Sequence, residues 1–177
     1  AIEIYELAKK NEKFVIGPAS VGLLLPGILK LGPIGGLTAD QFELTGILQK
    51  GECAVFSASG GMVGEILSVL SQSNHGFSFC LTFGGDRFPA VTPREAFLAA
   101  ESDPLTKYIV YYGELGGQDE YELVDLIKDK IITKKVFAYI GGSVSEMFDT
   151  PVQFGHAKAM AGKRKESAIE KRKALSE

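Results

Sequence analysis

Two histidines and two cysteines in 177 residues leave little material for a metal centre. His75 and His156 lie far apart, and Cys53 and Cys80 sit inside apolar runs without the close spacing of a zinc ligand set. No metal site is therefore expected. Two cysteines are also too few for a disulfide scaffold, so buried, reduced thiols in a cytoplasmic protein are expected. Positive charge is not in excess: 19 Lys and Arg face 22 Asp and Glu, for a net charge of −3, which argues against nucleic acid as a partner. No apolar run is long enough to span a membrane, and no signal peptide is visible.

The common catalytic signatures are missing too. There is no Gly-x-x-x-x-Gly-Lys-Ser/Thr and no Gly-x-Gly-x-x-Gly following a strand. Ser57 and Ser59 do not occupy a Gly-x-Ser-x-Gly elbow, which leaves a Ser-His-Asp hydrolase poorly supported. His75 falls in Ser73-Asn74-His75-Gly76, a turn composition, and is read as structural.

What the chain does contain is an alternation of short apolar runs and helical periodicity. Strands are expected at Cys53–Phe56, Phe77–Phe83, Tyr108–Tyr112 and Val136–Ile140. The helices between them carry apolar faces, such as Met62, Ile66, Leu67, Val69 and Leu70. Thr92-Pro93-Arg94-Glu95 is a helix start with a capping box, and Ser143 with Glu146 suggests another. A last helix is expected from about Lys163 to Leu175. This order predicts an open, doubly wound, mainly parallel α/β sheet of flavodoxin-like form, with right-handed crossovers. Ahead of it, Ile2–Lys10 reads as a short helix and Phe14–Ile16 as a brief buried strand. Residues 18–51, with Pro26, Pro33 and Gly35-Gly36, read as an irregular glycine- and proline-rich connection. A chain that starts at Ala1, inside a helical pattern, is expected to be a piece of a longer polypeptide, residues 1–17 being the tail of a preceding domain.

In such a sheet the strand-to-helix turns gather at the carboxyl edge, where ligands bind. Four of these turns are rich in glycine or serine. Ser57-Ala58-Ser59-Gly60-Gly61 offers hydroxyls and backbone N–H groups at a helix start, suited to phosphate or carboxylate. Gly84-Gly85 offers more donors; taken singly, each turn is explained by glycine's tolerance of positive φ. His156, in Gly155-His156-Ala157, is either a loop histidine bonded to backbone or a group that takes and releases a phosphoryl group. Glu114, at the end of an apolar strand, is either a helix-start charge or the carboxylate that fixes the tautomer of His156. The basic run Lys163, Arg164, Lys165, Lys171, Arg172 and Lys173 reads first as a solvated helix face.

The motifs Ser57-x-Ser59-Gly60, Gly84-Gly85-Asp86-Arg87-Phe88-Pro89, Gly113-Glu114-Leu115-Gly116-Gly117 and Val152-Gln153-Phe154-Gly155-His156-Ala157, in this order, resemble the ATP citrate lyase/succinyl-CoA synthetase α-subunit family. So does Gly17-Pro18-Ala19-Ser20-Val21-Gly22. The resemblance covers about Phe14 to Leu175. It implies that His156 is phosphorylated from ATP, that Glu114 holds it, and that Ser57, Ser59, Gly60, Gly84 and Gly85 line a phosphate site. It implies that the phosphoryl group passes to a carboxylic acid, citrate first among the candidates, and that coenzyme A attacks the acyl phosphate. It further implies that residues 1–17 end a CoA-binding domain and 52–177 form the CoA-ligase domain. ATP and Mg2+ would be bound mainly by an ATP-grasp subunit or upstream portion of an oligomeric enzyme. Two positions depart from the family: Lys158 replaces a usual glycine, and Ala58 a usual arginine. Lys158 would either pair with phosphate or obstruct the loop. A related synthetase for succinate or another acid, and an inactive binding module, remain alternatives.

Overall fold

The computed structural model describes residues 2–87 and 89–177; Ala1 and Phe88, the latter within the Gly84–Pro89 motif, fall outside it. Helix α1 (Ile2–Lys10) is followed by strands β1 (Leu23–Leu25) and β2 (Leu29–Leu31) and helix α2 (Ala39–Thr45). Then β3 (Lys50–Ser57), α3 (Gly60–Gln72), β4 (Phe77–Thr82), α4 (Pro93–Ser102), β5 (Tyr108–Glu114), α5 (Asp119–Lys128) and β6 (Lys135–Gly141) alternate. Two 3-10 turns, Ser143–Met147 and Arg164–Glu166, precede the last helix, α6 (Ala168–Ser176). The six strands form one mixed sheet in the order β2-β1-β4-β3-β5-β6. Strands β3 to β6 are parallel, and the β1–β2 hairpin joins antiparallel to β4.

The pleat of β3 shows why helices cover both faces. Ala54 and Phe56 point to one side, into a core with Phe97 of α4, Leu123 and Leu126 of α5, and Ala168 of α6. Cys53 and Val55 point to the other, against Val63 and Leu67 of α3 and Phe42 of α2. Successive residues of one strand thus fill two cores, and every residue from 53 to 57 is buried. On the first face Phe97 meets Phe56 edge-on at 5.7 Å and Tyr111 at 5.2 Å. Phe97→Ala is expected to destabilise the fold by about 3–5 kcal/mol, measured by denaturant unfolding. Burial pushes the Cys53 thiol up to about 12, and burial, with the neighbouring Cys53, also raises Cys80 well above the ordinary thiol value. Both thiols should stay unreactive toward a disulfide reagent until the protein is unfolded.

The expected sheet is present, with three corrections around it. Residues 18–51 are not an irregular connection, because they contain the hairpin and α2, and the hairpin extends the sheet through Leu23 beside Leu81 and Leu24 beside Cys80. Phe14–Ile16 is not a strand: among the described residues no sheet neighbour pairs with it, and Phe14 is 94% exposed. Ser143 and Glu146 do not cap a helix, since Gly142, in the left-handed conformation, starts a five-residue 3-10 turn with no side-chain cap. The capping box of Thr92 and Glu95 forms as expected. Among the described residues, no helix is long and apolar enough to cross a membrane.

Candidate functional site

The parallel strands end in register. Ser57 of β3 lies beside Thr82 of β4 and Tyr112 of β5, and Glu114 of β5 lies beside Gly141 of β6. The segment after the first 3-10 turn crosses this carboxyl edge and carries His156. Its shape is local: the Phe154 N–H donates to the Ala159 carbonyl at 2.9 Å, and the Ala159 N–H to the His156 carbonyl at 3.0 Å. The Gln153 amide also donates to the His156 carbonyl. His156 is therefore the tip of a closed loop.

Three strand ends hold this loop. At β4, the Lys158 N–H donates to the Gly85 carbonyl at 3.2 Å, and Arg87 donates to the Ala157 carbonyl at 3.3 Å. Gly85 is needed for space, because a Cβ there would stand 2.3–2.6 Å from three atoms of the His156 side chain. At β5, His156 Nδ1 lies 2.7 Å from Glu114 Oε2. The two side chains are 35% and 13% exposed, so the imidazole reaches solvent while the carboxylate is mostly enclosed. At β6, Gly141 and Gly142 join Glu114, His156, Tyr112 and Val144 around a cleft of about 230 Å3.

A carboxylate only accepts hydrogen bonds, so Nδ1 carries the hydrogen and, in the neutral imidazole, Nε2 keeps its lone pair. Glu114 Oε1 is buried without a hydrogen-bond partner among the described residues. The structure thus brings together an imidazole and a carboxylate able to fix its tautomer.

The remaining candidates divide. Gly85 joins the pair, whereas Gly84 (φ +81°) permits a backbone crossing, since a Cβ there would stand 2.6 Å from backbone atoms of Ala19. The Ser57 hydroxyl is spent inside its own turn, accepting from the Ser59 N–H at 3.0 Å and donating to the Ser59 carbonyl at 2.8 Å. Ser59 caps α3 by accepting from the Met62 N–H, and Gly60 makes room for Val21. This turn stands on the same sheet edge, one strand from Glu114. Ala58 is buried and donates its N–H to the Tyr112 carbonyl at 2.8 Å. Lys158 neither blocks the loop nor points a free charge at it: its ammonium is paired with Asp119, the first residue of α5, at 3.0 Å. Among the described residues no three potential ligand side chains gather as a metal set.

The basic run is not simply a solvated face. Arg172 donates to the Ile140 carbonyl at 2.9 and 2.7 Å, blunting the outer edge of β6. Lys171 is buried against the Glu114 loop with Glu120 and Tyr111. Helical spacing held the missed signal, because Lys171 falls three residues after Ala168 and four before Leu175, on the apolar stripe.

Comparison with known proteins adds to this geometry. The family described as CoA-ligase matches residues 56–176. The probable ATP-citrate synthase subunit 1 of Neurospora crassa is 40% identical over the whole chain, which corresponds to 26% of that protein. ATP-citrate synthase beta chain protein 1 of Arabidopsis thaliana is 37% identical over 99% of the chain and 29% of its own length. The structure of ATP citrate lyase from Methanothrix soehngenii in complex with citrate and coenzyme A superposes with a TM-score of 0.91. It is 36% identical over 98% of this chain and 28% of its own. The chain thus spans between a quarter and a third of the length of these relatives.

Proposed function

This chain belongs to the CoA-ligase family, and on that premise we propose that it is the phosphohistidine-bearing domain of an ATP citrate lyase-like enzyme. The observation that carries the proposal is the 2.7 Å contact from His156 Nδ1 to Glu114, which leaves Nε2 as the nucleophile at the rim of the cleft. The Nε2 lone pair attacks the terminal phosphorus of ATP, and the bond from that phosphorus to the ADP oxygen breaks. The phosphohistidine then yields its phosphoryl group to a carboxylate oxygen of citrate, and the N–P electron pair returns to Nε2. Coenzyme A supplies the thiol that displaces phosphate from citryl phosphate, giving citryl-CoA, which the full enzyme cleaves to acetyl-CoA and oxaloacetate. Throughout, Glu114 keeps the Nδ1 hydrogen bonded and offsets positive charge on the phosphorylated ring. Such chemistry depends on positioning and charge more than on strong acids or bases.

Citrate is favoured as the acid because the Methanothrix soehngenii lyase is described with citrate and coenzyme A, and that of Methanosaeta concilii with (3S)-citryl-CoA. The β3–α3 turn around Ser57, Ser59 and Gly60 is assigned to phosphate through the backbone N–H groups opening the 13-residue helix α3, with the Ser57 hydroxyl shaping the turn. Gly84 and Gly85, at the end of the neighbouring strand β4, are assigned to the same phosphate site. We assign ATP and Mg2+ to an ATP-grasp portion outside this chain, and the CoA-binding domain to the segment that ends with residues 1–17. Residues 52–177 form the phosphohistidine domain of an oligomeric, cytoplasmic enzyme.

The test is a chase. The full-length protein with its ATP-grasp portion is labelled with radioactive ATP and Mg2+, then given an acid with coenzyme A. Discharge by citrate is expected. Discharge by succinate alone would reassign the substrate, and a label that neither acid removes would refute the relay.

A further inference from the structure

We propose that Lys171 is a positioning residue for the His156–Glu114 pair, making α6 part of the active site's framework rather than a surface helix. The inference rests on the phosphohistidine reading for its functional meaning, and on geometry of its own.

A lysine ammonium has three hydrogens and no acceptor. Lys171 donates to two groups, the Glu114 carbonyl at 2.8 Å and the Gly116 carbonyl at 2.5 Å, and its charge is paired with Glu120 Oε2 at 2.5 Å. Its side chain is 1% exposed and that of Glu120 is 3% exposed. Glu120 is fixed in turn by the Tyr111 hydroxyl, which donates to Oε1 at 3.0 Å. Gly113 admits the carboxylate, since a Cβ there would meet Glu120 Oε1 at 2.3 Å.

The ammonium therefore grips the main chain of residue 114, whose side chain holds His156, and of residue 116, two positions on. Gly116 is itself wedged under the histidine loop: a Cβ at this position (φ +85°) would stand 1.8 Å from the Lys158 carbonyl oxygen. Its N–H donates to the Glu166 carbonyl at 2.8 Å. Glu114 can hold an imidazole at a fixed angle only if its backbone is fixed, and the strand ends at that residue. Beyond the last ladder bond, the bonds from α6 and its preceding turn replace the sheet as the constraint. A buried ion pair is rarely a net gain in stability over apolar residues of the same volume. Here it does something apolar side chains cannot, donating to two carbonyls of a functional loop.

The test compares Lys171→Met/Glu120→Gln, which removes both charges at similar volume, with Lys134→Met. Lys134 performs the same task away from the site, donating to the carbonyls of Ala100 and Asp103 at 2.6 Å each. Two readouts are taken: the His156 tautomer by 15N NMR, and the rate of phosphorylation by phosphoramidate, a small donor that needs no second protein. Stability is measured for both variants. The Lys171/Glu120 variant should show a mixed tautomer population and a rate lower by about tenfold or more. Lys134→Met should change neither, even at equal or greater loss of stability. A folded Lys171/Glu120 variant with a single wild-type tautomer would overturn the inference, as would equal effects of the two variants at matched stability. If the double variant does not fold, Lys171→Gln, which can still reach one carbonyl, takes its place under the same criteria. Wild type that resists phosphorylation while the tautomer still responds to Lys171 would refute the phosphohistidine reading alone.

Discussion

Gly85→Ala should lower phosphorylation of His156 by about a hundredfold, the scale of a 1 Å misplacement at a reacting centre. The added methyl carbon would lie 2.3 Å from His156 Cγ, 2.4 Å from Cβ and 2.6 Å from Cδ2, far inside van der Waals contact. Gly85 is not among the glycines with positive φ, so the backbone itself accepts alanine. Relief must come from the histidine loop. Moving the ring away from β4 disturbs its 2.7 Å bond to Glu114, and moving the backbone breaks the Lys158 N–H bond to the Gly85 carbonyl. Both routes displace the nucleophile while leaving the two cores untouched. The check is the phosphoramidate rate followed by 31P NMR beside a thermal melt. Wild-type rate in the alanine variant would mean that the ring has another productive position.

Glu114→Ala should cost more, about 10²–10⁴-fold in the same rate, the range typical of a positioned proton-handling group. Two effects combine. Without the acceptor at Nδ1, the imidazole divides between tautomers, and Nε2 is no longer the only free nitrogen. The negative charge that balances the phosphorylated ring is also lost. The product identifies the first effect, because wild type should yield the Nε2-phosphohistidine alone, whereas Glu114→Ala should also yield the Nδ1 isomer. Glu114→Gln separates the two, since its amide oxygen still accepts from Nδ1–H without the charge. Its expected loss is intermediate, about tenfold, with the single isomer kept. A Glu114→Ala protein that forms only the Nε2 isomer at wild-type rate would remove Glu114 from the mechanism.

The pairing of His156 with Glu114 was legible because two features converged: an apolar strand ending in Gly-Glu, and a histidine between small residues in a later loop. Parallel topology then required the strand ends to share one edge. The β3–β6 core was legible for a similar reason, since Cys53–Phe56 is apolar on both pleats, as a strand covered on both faces must be, and Tyr108–Tyr112 is an apolar run whose Ile109 and Tyr111 face is fully buried. The β1–β2 hairpin was not. Its strands are three residues each, Leu23–Leu25 and Leu29–Leu31, separated by Pro26-Gly27-Ile28, and their pairing with β4 is a long-range contact that no local period records. Phe14–Ile16 misled in the opposite direction, having strand composition but no partner strand among the described residues. Lys171 was hidden by its neighbours, since a cation among Lys163, Arg164, Lys165, Arg172 and Lys173 looks solvated unless the helix phase is followed through Ala168. Lys158 needed coordinates, because nothing in the sequence links residue 158 to Asp119.

The central claim is that His156 carries a phosphoryl group on Nε2. The most direct measurement labels the full-length protein and its ATP-grasp portion with radioactive ATP and Mg2+, then maps the label. The account predicts an acid-labile, base-stable phosphoryl group on the peptide containing His156, absent from His156→Ala. A protein whose ATP-grasp portion turns over ATP while His156 stays unlabelled, or whose label survives in His156→Ala, would contradict it.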